Sequence, residues 1–288
     1  MPIWQAFSVG RIGRLEDRMA QIGSWTPVHD THAIQQAAVQ ITLNEPVGDV
    51  AFKRGLASIE ERAAELGLLE QTSIGGFMPP ELIAIGLPMP EQQGIAFARR
   101  ERPDFIGERA QILKQSLRYE DFGYVRWAPF KSRAEKLLKD AAERFASVSS
   151  LNNISSEYTD VFVSLPTANA DVSEVIDMNS PYVAAGSFQK TDSWHCHSGW
   201  FEPIDDHSRR LINVNIDIAE NIHDGHPHRQ VRIKTQTFDR FGEGPSSAAP
   251  DDISWDRMNA HLESAHVRLK DLLKDILTAE AAAAISLR

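Results

Sequence analysis

Apolar side chains recur at two different spacings along this chain, and the spacing sorts it into elements. Ala37, Val39, Ile41 and Leu43 alternate with polar or small residues, the period of two that a half-buried strand requires. Pro46 and Gly48 stop that strand. Phe52, Leu56, Ile59, Ala63 and Leu66 then fall at steps of three and four, which predicts an amphipathic helix closed by Gly67. The stretch 71–120 reads as β-rich, with one strand around Ile95 and Phe97 and another from Ile112 to Tyr119. Tyr124, Trp127, Phe130, Ala134, Leu137, Ala141 and Phe145 predict a second helix. Pro129 suits its first turn, where a missing N–H costs nothing. Tyr158 to Leu165 reads as a buried strand.

Pro166 to Ala170 is the predicted boundary between two parts, followed by a short helix over Val172–Met178. Three strands are expected at Trp194–Phe201, Leu211–Ile218 and Val231–Phe238, then a Gly/Pro/Ser-rich loop from Gly242 to Asp252. Trp255, Met258, Leu262, Ala265, Leu269, Leu272 and Ile276 give the clearest helix in the chain, with Ser254 as its N-cap. Before all of this, residues 1–35 read as an extension with a short helix around Ile12–Ile22. Strands followed by long helices argue for an α+β fold rather than a strict alternation. The expected architecture is two stacked sheet-and-helix lobes, 36–166 and 171–288, mostly antiparallel and packed as one unit.

Composition narrows the setting. The 288 residues carry a net charge of -10, with 42% hydrophobic and 24% charged side chains. Such a chain can bury a core. The acidic balance makes nucleic acid an unfavourable partner, since phosphate needs clustered cations. No run approaches ~18 apolar residues, so no membrane span is predicted. Nor does the N-terminus read as a signal peptide. Cys196 is the single cysteine, which fits a reducing cytoplasmic setting.

The segments HAIQQAAVQITLNEP, SLRYEDFGYVRWAPF, EYTDVFVSLP and WDRMNAHLESAHVRLKDLLKDILT together resemble a sporadically distributed bacterial protein family of about 250–290 residues. The resemblance covers roughly residues 32–288 and rests on structural positions at element boundaries. It implies one integrated α+β fold and a stand-alone or operon-encoded accessory protein, with defence against viruses as one setting. The family carries no agreed activity to transfer.

Chemistry is concentrated in one stretch. Six of the ten histidines lie between 195 and 228: His195, His197, His207, His223, His226 and His228. On a strand, His195 and His197 share a face, and Asn213, Asn215 and Asp217 share one on the next strand. In a hairpin through Asp205–Ser208 the apolar faces fix the register parity, and one allowed register sets His195 opposite Asp217 and His197 opposite Asn215. A carboxylate there can orient an imidazole or share a divalent metal with it. The spacing His195-x-His197-x4-Glu202 is partly that of a cupin metal strand, without the flanking glycines. Phosphate-loop, dinucleotide-fold, hydrolase-elbow and HExxH motifs are absent. Arg257 and His261 are four apart on the last helix and read as a helix-surface pair.

Two functions follow. The first is a non-catalytic protein-binding or adaptor module without cofactor. It would work through its sheet face or through the Leu262, Leu269 and Ile276 seam, with self-association through the apolar tail 281–287 as a further option. The alternative is a metal-dependent enzyme in which His195, His197, Asp217 and one of His223, His226 or His228 hold a divalent metal. In that reading Glu202 or Asp217 does the acid–base work.

Overall fold

The helices form where the three-four spacing predicts them, and their ends follow the local chemistry. In the computed structural model, α1 spans Asp49–Glu65, α2 Trp127–Ala146, α3 Trp255–Ile276 and α4 Ala279–Ala284. Gly67, just past α1, adopts φ +79°, a left-handed conformation that costs glycine little. Pro129 lies in the first turn of α2. The Ser254 hydroxyl accepts the Arg257 N–H at the start of α3, and Thr278 accepts the Ala281 N–H at the start of α4. The structure describes residues 21–75, 92–164, 170–190, 193–223, 226–243 and 254–287, without the side chains of 92, 93, 221–223, 226 and 227.

The strands are β1 Trp25–Pro27, β2 Ile34–Leu43, β3 Glu70–Gly75, β4 Gln92–Arg102, β5 Phe105–Leu113, β6 Ser116–Asp121, β7 Leu151–Ser164, β8 Trp194–Pro203, β9 Ser208–His223 and β10 His226–Phe241. They make one antiparallel sheet in the order β3-β4-β5-β6-β2-β7-β10-β9-β8, with β1 extending the β2 edge of β7. The α+β class is as expected. The two parts are not stacked, however: β2 pairs with β7 and joins them side by side. Three local expectations are also corrected. The strand from Ile112 to Tyr119 is two strands with a turn at Lys114 and Gln115. The Val172–Met178 helix is a single 3-10 turn, Val172–Glu174. β7 begins at Leu151, well before Tyr158. The Ile12–Ile22 helix lies almost wholly outside the described residues, as does most of the Pro166–Ala170 boundary. From residue 21 the extension is part of the fold: Ile22 and Trp25 are fully buried, and Trp25 Nε1–H donates to the Asp171 carbonyl at 2.9 Å.

Apart from β3, which has no counterpart, the two halves share one strand order, with β4, β5, β6 and β2 matching β8, β9, β10 and β7. In the first, β2 is followed by α1, then β3 to β6 and α2. In the second, β7 is followed by two 3-10 turns, Val172–Glu174 and Ala185–Gln189, then β8 to β10 and α3. The relation is a pseudo-two-fold through the Val39–Ser156 pair: Val39 opposes Tyr119 of β6 as Ser156 opposes Thr237 of β10, and Glu108 opposes Asp121 as Arg210 opposes Asp239. α2 and α3 lie over the same face, against β2 and β6 and against β7 and β10. α1 packs on α2 so closely that a Cβ on Gly55 would lie 2.6 Å from the Phe145 ring. The core fills this helix-bearing face with Val39, Ile41, Tyr119, Phe130, Leu137, Phe145, Phe162, Ile216, Ile233, Trp255, Leu262, Leu269 and Ile276. No described helix lies on the other face.

Candidate functional site

The helix-free face of β8, β9 and β10 carries the residues that the histidine pattern singled out. Strand alternation puts Ile212, Val214, Ile216 and Ile218 into the core. It therefore turns Asn213, Asn215 and Asp217 to the opposite side. β8 follows suit: Trp194, Cys196 and Trp200 turn toward the helix side, while His195, His197 and Phe201 are exposed on the free face. Of the registers that the matched faces allow, the structure adopts the one in which His195 opposes Asp217 and His197 opposes Asn215. β10 continues the surface, with Arg232 opposite Asp217, Lys234 opposite Asn215 and Gln236 opposite Asn213. At the β8–β9 turn end, Phe201 is 41% exposed, with two guanidinium groups near its ring. Arg209 Cζ is 4.8 Å from its ring centre and Arg240 Cζ 5.4 Å. Contacts of this kind hold an exposed aromatic in place.

Other predicted residues do not join this group. Glu202 is five positions from His197, an odd step, so it turns to the helix side of β8. There it accepts Arg268 at 2.7 Å and Trp200 Nε1–H at 2.9 Å. The Arg268 guanidinium holds its carboxyl below the usual range, so it is an ion-pair partner and not a spare base beside the histidines. The cupin-like spacing thus does not converge. His228 is buried at the far end of β10, with Nδ1 2.9 Å from the Ser164 carbonyl oxygen, four residues beyond the partner of Asp217. The side chains of His223 and His226 lie outside the described residues. Among the described residues, no three His, Cys, Asp or Glu side chains are grouped to hold a metal ion. Leu262, Leu269 and Ile276 are buried in the chain's own core, as are Ala281, Ala282 and Ile285 of the tail. The α3 seam therefore packs inward and offers no partner an apolar stripe. His261 is no helix-surface residue either: it is buried, with Nδ1 2.8 Å from Asp239 Oδ2. Arg257 instead faces Asp205 at 4.0 Å.

A second group, where the sheet meets α2 and α3, was not found from the sequence. Tyr158 of β7 lies with its hydroxyl 2.9 Å from His266 Nδ1 of α3, and the His266 ring stacks on Trp127 with centres 4.4 Å apart. Glu263 ties the same corner, accepting Trp127 Nε1–H at 2.9 Å and pairing with Lys131. Tyr124 packs edge-on against Tyr158, and His32 against Tyr124. Asp160, two residues along β7, is 1% exposed and neither carboxylate oxygen has a hydrogen-bond partner. Burial pushes its carboxyl up to about 7 and holds the His32 imidazole down to about 4, where the nearby His29 and Arg126 add to the effect. Burial likewise raises both tyrosine hydroxyls and lowers His266. Neutral forms are what a dry interior favours. The signal was present: a charged Asp160 on the inward face of a strand otherwise read as buried.

Compared with known proteins, the chain matches no family model and no curated sequence. No described helix is long and apolar enough to cross a membrane.

Proposed function

We propose that this chain is a non-catalytic protein-binding module that works through the helix-free face of its sheet. The carrying observation is the surface of β8–β10, where His195, His197, Asn213, Asn215 and Gln236 stand in register beside an exposed Phe201 with two arginines at its ring. An aromatic anchor with arginine neighbours and a polar surround is the composition that recognition surfaces use. The accessory, operon-encoded role implied by the resemblance fits a module of this kind. Purification of tagged protein from its native host tests the reading, with wild type beside a Phe201→Ala/Arg209→Ala/Arg240→Ala variant of unchanged circular dichroism. The expected result is a stoichiometric partner with wild type that is lost with the variant. A partner retained equally by both, or no partner at all, would sink it.

A second reading has one observation in its favour. The register brings His195 opposite Asp217 on the hairpin, two of the ligands that a divalent-metal site there would need. Metal content of untagged wild type against a His195→Ala/His197→Ala variant, after reconstitution with zinc, iron and manganese, decides it. A stoichiometric metal lost in the variant would favour the enzyme.

A further inference from the structure

The two edges of the sheet are built differently. β3, at one edge, has six residues, and its register with β4 shifts between Ile74 and Gly75. Glu70 on it pairs with Arg100. Short, bulged and charged edges resist pairing with other chains. β8, at the other edge, has ten residues and keeps an unbroken register with β9 from Trp194 to Pro203. It has no lysine, its only proline is the last residue, and its single acid, Glu202, turns to the helix side. Tyr182 and Phe188 cover its helix-side face, Tyr182 stacked on Trp200 and Phe188 edge-on to Trp194. Among the described residues, the backbone of β8 bonds to β9 and to no other backbone. One alternate set of its N–H and C=O groups therefore points away from the sheet.

We infer that the β8 edge accepts an extended, acidic segment of the partner protein as an eleventh strand; this rests on the binding reading above and names the partner's chemistry. The backbone supplies the affinity of strand addition and the flanking side chains the selectivity. On the free face such a strand lies beside His195, His197 and Phe201, with Arg209 and Arg240 at the Phe201 end. On the free face Lys234 is paired with Glu157 of β7 at 3.1 Å and Arg232 stands opposite Asp217, while at the Phe201 end Arg209 and Arg240 stand side by side with Glu243 as the paired acid of Arg240, on a chain of net charge -10. That local excess of cations favours an acidic strand. It disfavours a second copy of β8, which brings no acid to this face.

Amide hydrogen exchange resolved by residue tests the inference, with millimolar synthetic peptides as probes: one alternating Glu and Val, and one alternating Lys and Val. In the free protein, alternate amides of Trp194–Phe201 should exchange at rates close to those of an unprotected chain. The Glu peptide should slow that set at least tenfold, leave β3 unchanged, and lose its effect on an Arg209→Glu/Arg240→Glu variant of unchanged fold. The inference is overturned if those amides are already protected in the free protein, if the Glu peptide leaves them unchanged, or if the Lys peptide protects them as well. Should a native partner be captured through Phe201 while these amides keep their free rates in the complex, the edge inference fails and the binding reading stands. With no partner captured and β8 unmoved, both fail.

Discussion

At equivalent places in its two halves the molecule buries an ionic group between sheet and helix, and the two groups use opposite signs. In the first half, Glu108 of β5 stands opposite Asp121 of β6 and is paired with Arg99 of β4 and Arg133 of α2. In the second half, Arg210 of β9 stands opposite Asp239 of β10 and holds it with two bonds of 2.6 and 2.8 Å. His261 of α3 takes the place of Arg133, seven residues into its helix in each case, and binds the same Asp239. Glu202 of β8 takes the place of Arg99. One backbone plan thus tolerates either arrangement, provided each buried charge finds a partner. The cost differs. Two facing carboxylates leave Asp121 pushed up to about 6, by burial first and by Glu108 next, against the Gly123 N–H that it accepts. The second half meets no such conflict, but its pair is far more deeply buried.

The sharpest way to break this comparison is Arg210→Met. It takes the guanidinium from Asp239 and leaves the buried carboxylate with His261 alone, and a loss of ~3–5 kcal/mol in chemical unfolding at pH 7 is expected. An Arg210→Met/Asp239→Leu double variant should recover much of that, because the uncompensated charge is gone.

Asp160 comes next. The step from Ala37 to Leu43 in β2 corresponds to that from Ile154 to Asp160 in β7, so a carboxyl occupies the place of a core leucine. Its folded value of about 7 lies above the ordinary 3.8, so folding favours the protonated form. That contribution is full below pH 3.8 and is lost as pH rises through about 7. At ~1.4 kcal/mol per unit the penalty at pH 8 is at most ~4 kcal/mol. Asp160→Asn removes it but buries an unpartnered amide costing ~1–3 kcal/mol. The expected net is a gain of ~1–2 kcal/mol at pH 8, shrinking to nothing or reversing by pH 5, read from denaturant midpoints at both. A gain independent of pH would refute the assignment.

Arg133→Met should cost less than Arg210→Met, ~1–2 kcal/mol, because Glu108 keeps Arg99, a half-exposed partner. Equal losses at the two sites would mean that the halves are not electrostatically distinct. Smallest is Glu202→Gln. Its pair with Arg268 is partly exposed and screened, so ~0.5 kcal/mol is expected in thermal unfolding at physiological salt.

Much of this fold was legible because periodicity reports the face that an element buries. The α3 spacing, the Ser254 cap and the alternation of β8 and β9 all follow from single-element patterns, and matching the apolar faces of that hairpin allowed the observed His195–Asp217 pairing. Three things were not legible. The join between β2 and β7 depends on which edge meets which, and no local pattern encodes it. The internal repeat was hidden because 3-10 turns replace α1 and because the charges change sign between Glu108 and Arg210. The convergence of Tyr124, Tyr158, Asp160 and His266 joins residues from a loop, a strand and a distant helix. For the site, the shared face of the histidines was readable, but the odd step to Glu202 should already have set it aside.

The pseudo-two-fold at Val39–Ser156 carries a consequence for how the chain acquires its structure. Hairpins such as β4–β5, β5–β6, β8–β9 and β9–β10 close over short stretches, whereas the central seam joins strands more than a hundred residues apart. Closing long loops slows folding. Refolding should therefore pass through a species with the outer hairpins formed and the middle strands unmatched. The two middle edges, similar in topology, would then compete for each other across chains, so that refolding yield falls as protein concentration rises.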